Sequence, residues 1–503
     1  MRIAIIGAGI SGIAFAQVLA RFCHTCVLFE QADSIGGIWA LAYPGVRLQN
    51  SREQYHLADF PWPSPPDRHP TAVQILNYLQ AAAAHFQLDV RLGRSVVAMR
   101  EQPSGWVLDI MHRGRLETLE FDYTIIAIGQ YAENKLRPAW PGAADFMGSI
   151  VTEREVRSPN IFAGKRVAVV GFGKSAVDMA ALAAPHAQSV AHVFRTPRWL
   201  IPFKLLGLHY THLLFARMST VYMPSWIHVG RIERTLHEYA APLVHGFWKL
   251  IGQLIARHIR RHAQGRDPLA VARLARVIPS HDFVSDLRSA TAMAPPDYYS
   301  MIARGTIEPY CGDVAGYGAS SLRLLDGSHI DVDLVVQAVG SSSPTFPFLP
   351  AKYRDLLEAD DDGAQLYRHL LHPNIPRLAF AGYNHGFMHV PAAEVGALWL
   401  AALLRGDLVL PAQESQLRCM ANVAAWKRAH IQFEPSRACA VSTRFQQYID
   451  GLLTDLGMSP YRKLPNVFAE CLARYGASDY TGMVDTYLAR GPAVPRAVRS
   501  FET

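Results

Sequence analysis

Six residues near the start of the chain, Gly7-Ala8-Gly9-Ile10-Ser11-Gly12, carry the first spacing with a chemical meaning. They follow a short apolar, β-branched run (residues 3–6) that reads as a buried parallel strand, and they precede residues 13–21, which read as a helix. Gly7 allows a tight turn, Gly9 lets backbone amides approach a pyrophosphate, and Gly12 lets the helix pack on the strand. Ser11 stands in the same turn, where free N–H groups and the helix dipole point at a phosphate. A second strand (residues 26–29) ends in Glu30, about 20 residues past the glycines, where a ribose hydroxyl needs an acceptor. A cluster of turn glycines followed by a surface Glu is the bland alternative, and the strand–loop–helix–strand context argues against it. The segment is a dinucleotide site.

A second loop repeats the arrangement. Residues 166–170 form another strand-like run, followed by Gly171-Phe172-Gly173-Lys174-Ser175-Ala176 and a helix over 177–184. Ala176 replaces the third glycine, which only has to be small. The next strand (189–194) ends in Arg195 where the first ended in a carboxylate. An acid there would repel a 2′-phosphate, whereas a guanidinium pairs with it in fork geometry. The second site therefore reads as an NADPH site with Arg195 as the phosphate reader, assisted by Arg198 or Lys174. The competing reading leaves Arg195 as a solvated strand-end charge.

The rest of the chain narrows the class. Its 503 residues suffice for several domains, half of them hydrophobic and 18% charged, with a formal charge of +7. Mean hydropathy of +0.06 and this composition exclude disordered, collagenous and coiled-coil proteins. The arginines are scattered without interleaved aromatics, so no nucleic-acid partner is expected. Six cysteines argue against a disulfide scaffold; the Cys23/Cys26 pair has no companion pair and falls between a helix and a strand. His209, His212, His228, His237 and His245 lack metal-ligand spacing, so no metal is expected. No apolar run reaches the roughly 18 residues of a spanning helix, and a cytoplasmic protein is expected.

Several motifs resemble those of the flavin-containing monooxygenases, in the wider class that includes Baeyer–Villiger enzymes. Gly36-Gly37-Ile38-Trp39 follows Glu30, then Leu48-Gln49-Asn50-Ser51, then the DFPxP-like turn Asp59-Phe60-Pro61-Trp62-Pro63. Arg195-Thr196-Pro197-Arg198-Trp199 is similar to the RTPxW run of that family's NADPH domain. Residues 123–129 (YTIIAIG) and 334–340 (LVVQAVG) resemble its two hinge strands. Residues 373–382 resemble its last FAD-domain strand, ending in the flavin-side glycine Gly382, and 394–399 its C-terminal flavin-side helix. Asp326-Gly327 reads as a hairpin turn feeding the second hinge strand.

The resemblance implies FAD at the first loop and NADPH at the second, and it places Asn50 near the flavin edge as the catalytic candidate. Cofactor-binding candidates are Gly7, Gly9, Ser11, Gly12, Glu30, Gln31, Gly37, Ile38, Trp39, Asn50, Ser51, Val96, Ala127 and Gly129 for the first site, with Gly382. Gly171, Gly173, Lys174, Ser175, Ala176, Arg195 and Arg198 are those for the second. One departure stands out. Phe146 and Gly148 keep the register of the family's FxGxxxH motif, yet Thr152 occupies the His position and Val156 that of an aromatic. A Thr cannot span the gap a His spans, so weakened coupling of NADPH to oxygenation is expected.

The expected fold is α/β, with two Rossmann-like dinucleotide-binding domains, the FAD domain interrupted by the NADPH domain. The boundaries are 1–159 (FAD domain, first part), 160–340 (NADPH domain with a helical insertion over about 205–292) and 341–503 (FAD domain, second part, with C-terminal helices). The insertion carries Leu243, Phe247, Leu250, Ile251 and Leu254 at helical spacing, with a basic end at Arg257, His258, Arg260, Arg261 and His262. One reading is contact with a membrane surface; the favoured one is a lid over the substrate entrance or between subunits of a homo-oligomer. The implied activity is insertion of one oxygen atom from O₂ into a small organic substrate through a flavin C4a-hydroperoxide, as N- or S-oxygenation or hydroxylation. The alternatives are Baeyer–Villiger insertion, or a flavin oxidase or dehydrogenase without oxygen insertion. The flavin would carry the hard chemistry, and the chain accordingly shows no acid/base pair or nucleophilic triad of its own.

Overall fold

Buried β-branched runs alternating with helices that start on a glycine build two parallel sheets. The computed structural model describes residues 1–503 apart from 131–134, 224, 228, 229, 264, 266, 290, 291, 492, 493 and 500–503. His228 lies outside the described residues. In the first sheet β1 (Arg2–Ile6), β2 (Thr25–Phe29) and β3 (Asp89–Arg91) lie side by side. The antiparallel β4 (Ser95–Gln102), β5 (Gly105–His112) and β6 (Arg115–Phe121) then form a separate layer. The chain returns as β7 (Tyr123–Ile126) on the other side of β1, and Leu378–Phe380, more than 250 residues later, pairs with β7 and closes the sheet.

The second sheet has the order Ile307–Cys311, β10 (Ser189–Phe194), β9 (Arg166–Val170), Leu334–Gln337, β8 (Ser149–Thr152), all parallel. The edge strand β8 falls before the expected boundary at 159, so the second α/β unit starts about ten residues earlier than the glycine loop suggested. Four residues at a sheet edge carry too little pattern to reveal their partner, and only the pairing with Leu334–Gln337 places them. The Asp326-Gly327 turn joins Ser321–Leu324 to His329–Asp331 in a three-stranded antiparallel sheet beside this one.

Helices cover these sheets. Helix α1 (Ile10–Arg21) is buried through nearly its whole length against His389–Arg405, and α2 (Ala72–His85) begins with a capping box between Thr71 and Gln74. Helix α3 (Lys174–Ala183) opens the second unit. Both glycine-loop helices begin earlier than their apolar spacing predicts, because Gly9 and Gly173 themselves stand at the N-cap.

The insertion is helical, as its composition suggests, and its longest member spans Ala241–Arg261. The face it buries differs from the predicted stripe. Val244, Trp248, Ile255 and Ile259 point inward, while Leu243 and Leu250 are 68% and 53% exposed. Apolar residues at adjacent positions (243/244, 247/248, 250/251, 254/255) allow two overlapping stripes, and packing selects the one carrying Trp248. Among the described residues no helix is long and apolar enough to cross a membrane.

Candidate active site

The C-terminal ends of both parallel sheets face one cleft of about 2200 Å³ lined by both glycine loops. In open α/β sheets ligands bind beyond the carboxyl ends of the strands. Gly7 sits at φ +110°, and a Cβ there would lie 2.4 Å from the Ala127 carbonyl oxygen. Gly171, at φ +125°, faces Ala338 in the same way at 2.3 Å. This explains why each loop opens on a glycine: its Cα packs directly against the backbone at the end of a hinge strand.

The cradle suits a pyrophosphate twice over. Gly9 and Gly173 cap α1 and α3 without any side-chain acceptor, leaving first-turn N–H groups free of a side-chain cap. A Cβ on Gly173 would meet nothing within 4 Å, and one on Gly9 would meet only the Gly37 Cα, at 3.8 Å. Gly9 has an ordinary extended backbone, with φ −78° and ψ −179°, so its requirement is for room and not for conformation. Glu30 is buried at the end of β2, its carboxylate accepting the Ala8 N–H at 2.9 Å and the Ala32 N–H at 3.0 Å. The first loop therefore fits the adenine dinucleotide half of FAD.

Most of the candidates read from the sequence line this cleft: Gly7, Gly9, Ser11, Glu30, Gln31, Gly37, Ile38, Trp39, Asn50, Val96, Ala127, Gly129 and Gly382 on the first side, Gly171, Gly173, Lys174, Ser175, Arg195 and Arg198 on the second. Three stand behind the lining. Gly12 packs its Cα against the Gly7 carbonyl, Ala176 is buried in α3, and Ser51 is buried with its hydroxyl turned to Gln54.

The three cations of the second site differ in availability. Arg195 is 79% exposed and lies 3.5 Å from Asp313, a loose surface pair of little energetic weight. Arg198 is engaged: its guanidinium lies 3.5 Å over the Phe433 ring and 3.3 Å from buried Asp286. Lys174 pairs with Asp178 one turn along α3, and Asp178 also accepts the Tyr43 hydroxyl at 2.7 Å, which ties the first unit to the second. Burial and the Asp178 carboxylate hold the Tyr43 phenol well above its usual pKa, so it acts only as a neutral donor.

Asn50 is buried on the cleft wall, with its amide donating to the Phe387 carbonyl. Two residues that sequence reasoning did not single out stand beside Phe387. His385 and His389 both line the cleft, and burial pushes each down to about 4, so both rings are neutral at physiological pH. The His389 Nε2 lies 2.9 Å from the Ser11 hydroxyl and joins the first glycine loop to the C-terminal helix. The His-x₃-His spacing was visible in the sequence, but its meaning depends on a contact with Ser11 across 378 residues.

Thr152 is buried and does not line the cleft. Its hydroxyl donates to Glu155 at 3.0 Å and its N–H to the same carboxylate at 2.8 Å, forming the capping box of a short turn. The cleft is lined instead by its neighbours Glu153 and Arg154, and Glu153 pairs with Lys135. Among the described residues no group of three or more His, Cys, Asp or Glu is arranged to hold a metal ion.

Comparison with known proteins agrees with this geometry. Residues 1–238 match the family described as flavin-binding monooxygenase-like. Over 525 aligned positions the chain is 28% identical to the probable flavin-containing monooxygenase 1 of Arabidopsis thaliana, covering 95% of this chain and 96% of that relative. In fold it is similar to the S-allyl-L-cysteine S-oxygenase of Allium sativum, with a TM-score of 0.62, 19% identity and 97% of each chain covered. A second similar fold is OTEMO solved in complex with FAD and NADP, with a TM-score of 0.61, 20% identity and coverage of 80% of this chain and 83% of that one. With two nucleotide cradles on one cleft and relatives that align over nearly their whole length, the chain is similar to the flavin-containing monooxygenases from end to end, and it is an oxidoreductase that works with FAD and NADPH.

Proposed function

We propose that the enzyme oxygenates an uncharged, soft nucleophile, a thioether sulfur or an unprotonated amine nitrogen, at the part of the cleft where Asn50 meets Phe387. In this reading FAD lies along the first glycine loop, with Glu30 accepting from its ribose and the Gly9 end of α1 receiving its pyrophosphate. NADPH lies along the second, its pyrophosphate at the start of α3 and its 2′-phosphate on Arg195. Bound FAD supplies the activation of O₂ once NADPH has reduced it.

The observation that supports this best is the neutrality of the wall around Asn50. His385 and His389 are held uncharged by burial, and Asn50 offers an amide. These groups orient a substrate and hold water off without extracting a proton from it. A lone pair on sulfur or nitrogen needs no such extraction. The three neutral groups also act as fixed dipoles in a partly enclosed site, where they are worth more than in water.

A substrate panel tests the reading. Thioethers and tertiary amines should turn over to sulfoxides and N-oxides with NADPH consumed in proportion. Conversion of a cyclic ketone to its lactone, with no sulfoxide or N-oxide formed, would contradict it.

A further inference from the structure

We propose that His69 and His209 form a neutral pair through which the helical insertion fixes the loop carrying Asn50, making both histidines positioning residues for oxygenation; this rests on the reading of Asn50 above.

The loop Leu48-Gln49-Asn50 has no helix or strand of its own and is held from outside. The Leu48 N–H donates to the Pro70 carbonyl at 2.8 Å. The His69 Nδ1 lies 3.2 Å from the Leu48 carbonyl and 3.1 Å from the Asn50 carbonyl. Two contacts arrive from the insertion and its end: the Tyr210 hydroxyl donates to the Gln49 carbonyl, and the Met293 N–H donates to the Gln49 side chain at 2.9 Å. Asn50 itself reaches Phe387. The backbone on both sides of Gln49 thus hangs on His69, and the segment as a whole on residues more than 150 positions away.

The hydrogen-bond partners fix the protons. A nitrogen facing two carbonyls must be the donor, so the His69 Nδ1 carries its hydrogen. The His209 Nδ1 receives the Thr211 N–H at 3.4 Å and lies 2.9 Å from the Thr211 hydroxyl, capping the helix Tyr210–Leu214, so this nitrogen is the acceptor. The remaining pair, His69 Nε2 and His209 Nε2, are 3.3 Å apart with the rings stacked at 5.5 Å, and only one arrangement is left. His209 donates and His69 accepts, with both rings neutral. Protonating either ring spoils the link, by setting N–H against N–H at the shared contact or by removing the acceptor under the cap.

The surroundings favour this neutral state. Arg68 beside His69, His212 on the insertion and Arg474 from the C-terminal part all oppose a positive charge, with Glu53 acting the other way. Burial lowers the pKa of both rings, that of His209 to about 4. Phe203 packs edge-on against His69 at 4.7 Å and covers the pair with an apolar ring.

Two substitutions separate linking from capping. His209→Asn keeps a short acceptor for the Thr211 N–H but loses the reach to His69. His209→Gln keeps a donor at the Nε2 position and loses the cap. With a thioether substrate, which does not titrate, His209→Asn should retain FAD and anaerobic flavin reduction by NADPH. It should nonetheless release about two- to tenfold more hydrogen peroxide per NADPH, the range that follows from one lost neutral hydrogen bond. His209→Gln should stay near the wild type. The wild-type peroxide fraction should stay low above pH 6.5 and rise as pH falls below it toward 4, and that of His209→Asn should be high and flat. If His209→Asn does not fold, Tyr210→Phe removes only the hydroxyl on Gln49 and should raise peroxide in the same direction.

The reverse pattern, uncoupling in His209→Gln but not in His209→Asn, would assign the effect to the helix cap and overturn the proposal. Normal coupling in both His209→Asn and Tyr210→Phe, with Asn50→Ala uncoupled, would also overturn it while leaving Asn50 in place. Normal coupling in Asn50→Ala would remove the reading on which it rests.

Discussion

Arg198 stacks on Phe433 with its guanidinium 3.5 Å above the ring, and the same group reaches Asp286 at 3.3 Å. A cation committed to an aromatic face and a buried carboxylate is a structural element of the cleft. Of the three second-site cations named above, Arg195, exposed just past the end of β10, is the one proposed to meet a 2′-phosphate. Arg195→Ala should therefore raise KM for NADPH by about ten- to a hundredfold, the loss of a charge-assisted contact of ~1.5–3 kcal/mol, with little change for NADH. Arg198→Ala should affect NADPH and NADH alike. Steady-state kinetics with both coenzymes checks this, and equal weakening of the two in Arg195→Ala would refute the assignment.

Gly9 and Gly7 should respond differently to a side chain. Gly9 has an extended backbone and open space beside it, so Gly9→Val should fold, show normal circular dichroism and lack FAD, because the valine fills the pyrophosphate's place. Gly7→Ala meets the Ala127 carbonyl at 2.4 Å with φ at +110°, and should lose folded protein as well as flavin. Flavin absorbance per folded chain distinguishes the two, and a normal FAD content in Gly9→Val would contradict the account.

Glu394 predicts a pH dependence of stability. It is buried between α1, the Asp59 turn and its own helix, accepting the Ala58 N–H at 2.9 Å and the Gln17 amide at 3.0 Å. Burial pushes its carboxyl up to about 8. The folded state then holds a proton that the unfolded chain releases near 4.5, so stability falls as pH rises from about 4.5 to 8 and levels off above. Glu394→Gln keeps an acceptor for Ala58 and cannot ionise. It should be more stable than the wild type at pH 8, by up to on the order of 4 kcal/mol, with the difference shrinking toward pH 5. Urea unfolding at the two pH values measures it, and a pH-independent difference would be the contrary result.

Thr152 should not welcome the family's histidine. Its hydroxyl and N–H are both bound to Glu155 in a buried capping box, so Thr152→His should cost about 1 kcal/mol of stability and leave peroxide release per NADPH equal or higher. This reverses the expectation drawn from side-chain length alone. Improved coupling in the His variant would show that the site still serves its family role.

Legibility from sequence followed the range of the interactions. β9 and β10 lie where their apolar runs predicted, and both glycine loops were readable because strand, turn and helix start are set by neighbours in the chain. The edge strand β8, the buried face of Ala241–Arg261 and the role of Arg198 were not readable, and that of Thr152 was not recognised. β8 and Arg198 are decided by partners elsewhere, Leu334–Gln337 for β8 and Phe433 and Asp286 for Arg198, whereas Thr152 is held by Glu155 three residues on, in a Thr-x-x-Glu capping-box spacing that the sequence does carry. His69 and His209 are the extreme case, two histidines 140 residues apart whose protonation is fixed only once they touch.

The most direct test of the whole account is turnover with NADPH and isotopically labelled O₂, followed by mass spectrometry of the product. The account predicts one labelled oxygen atom in each sulfoxide or N-oxide formed, one NADPH oxidised per product, and little free peroxide. Oxidation of NADPH with all the label recovered in hydrogen peroxide, and none in any organic product, would contradict it and make the protein an oxidase built on the same cleft.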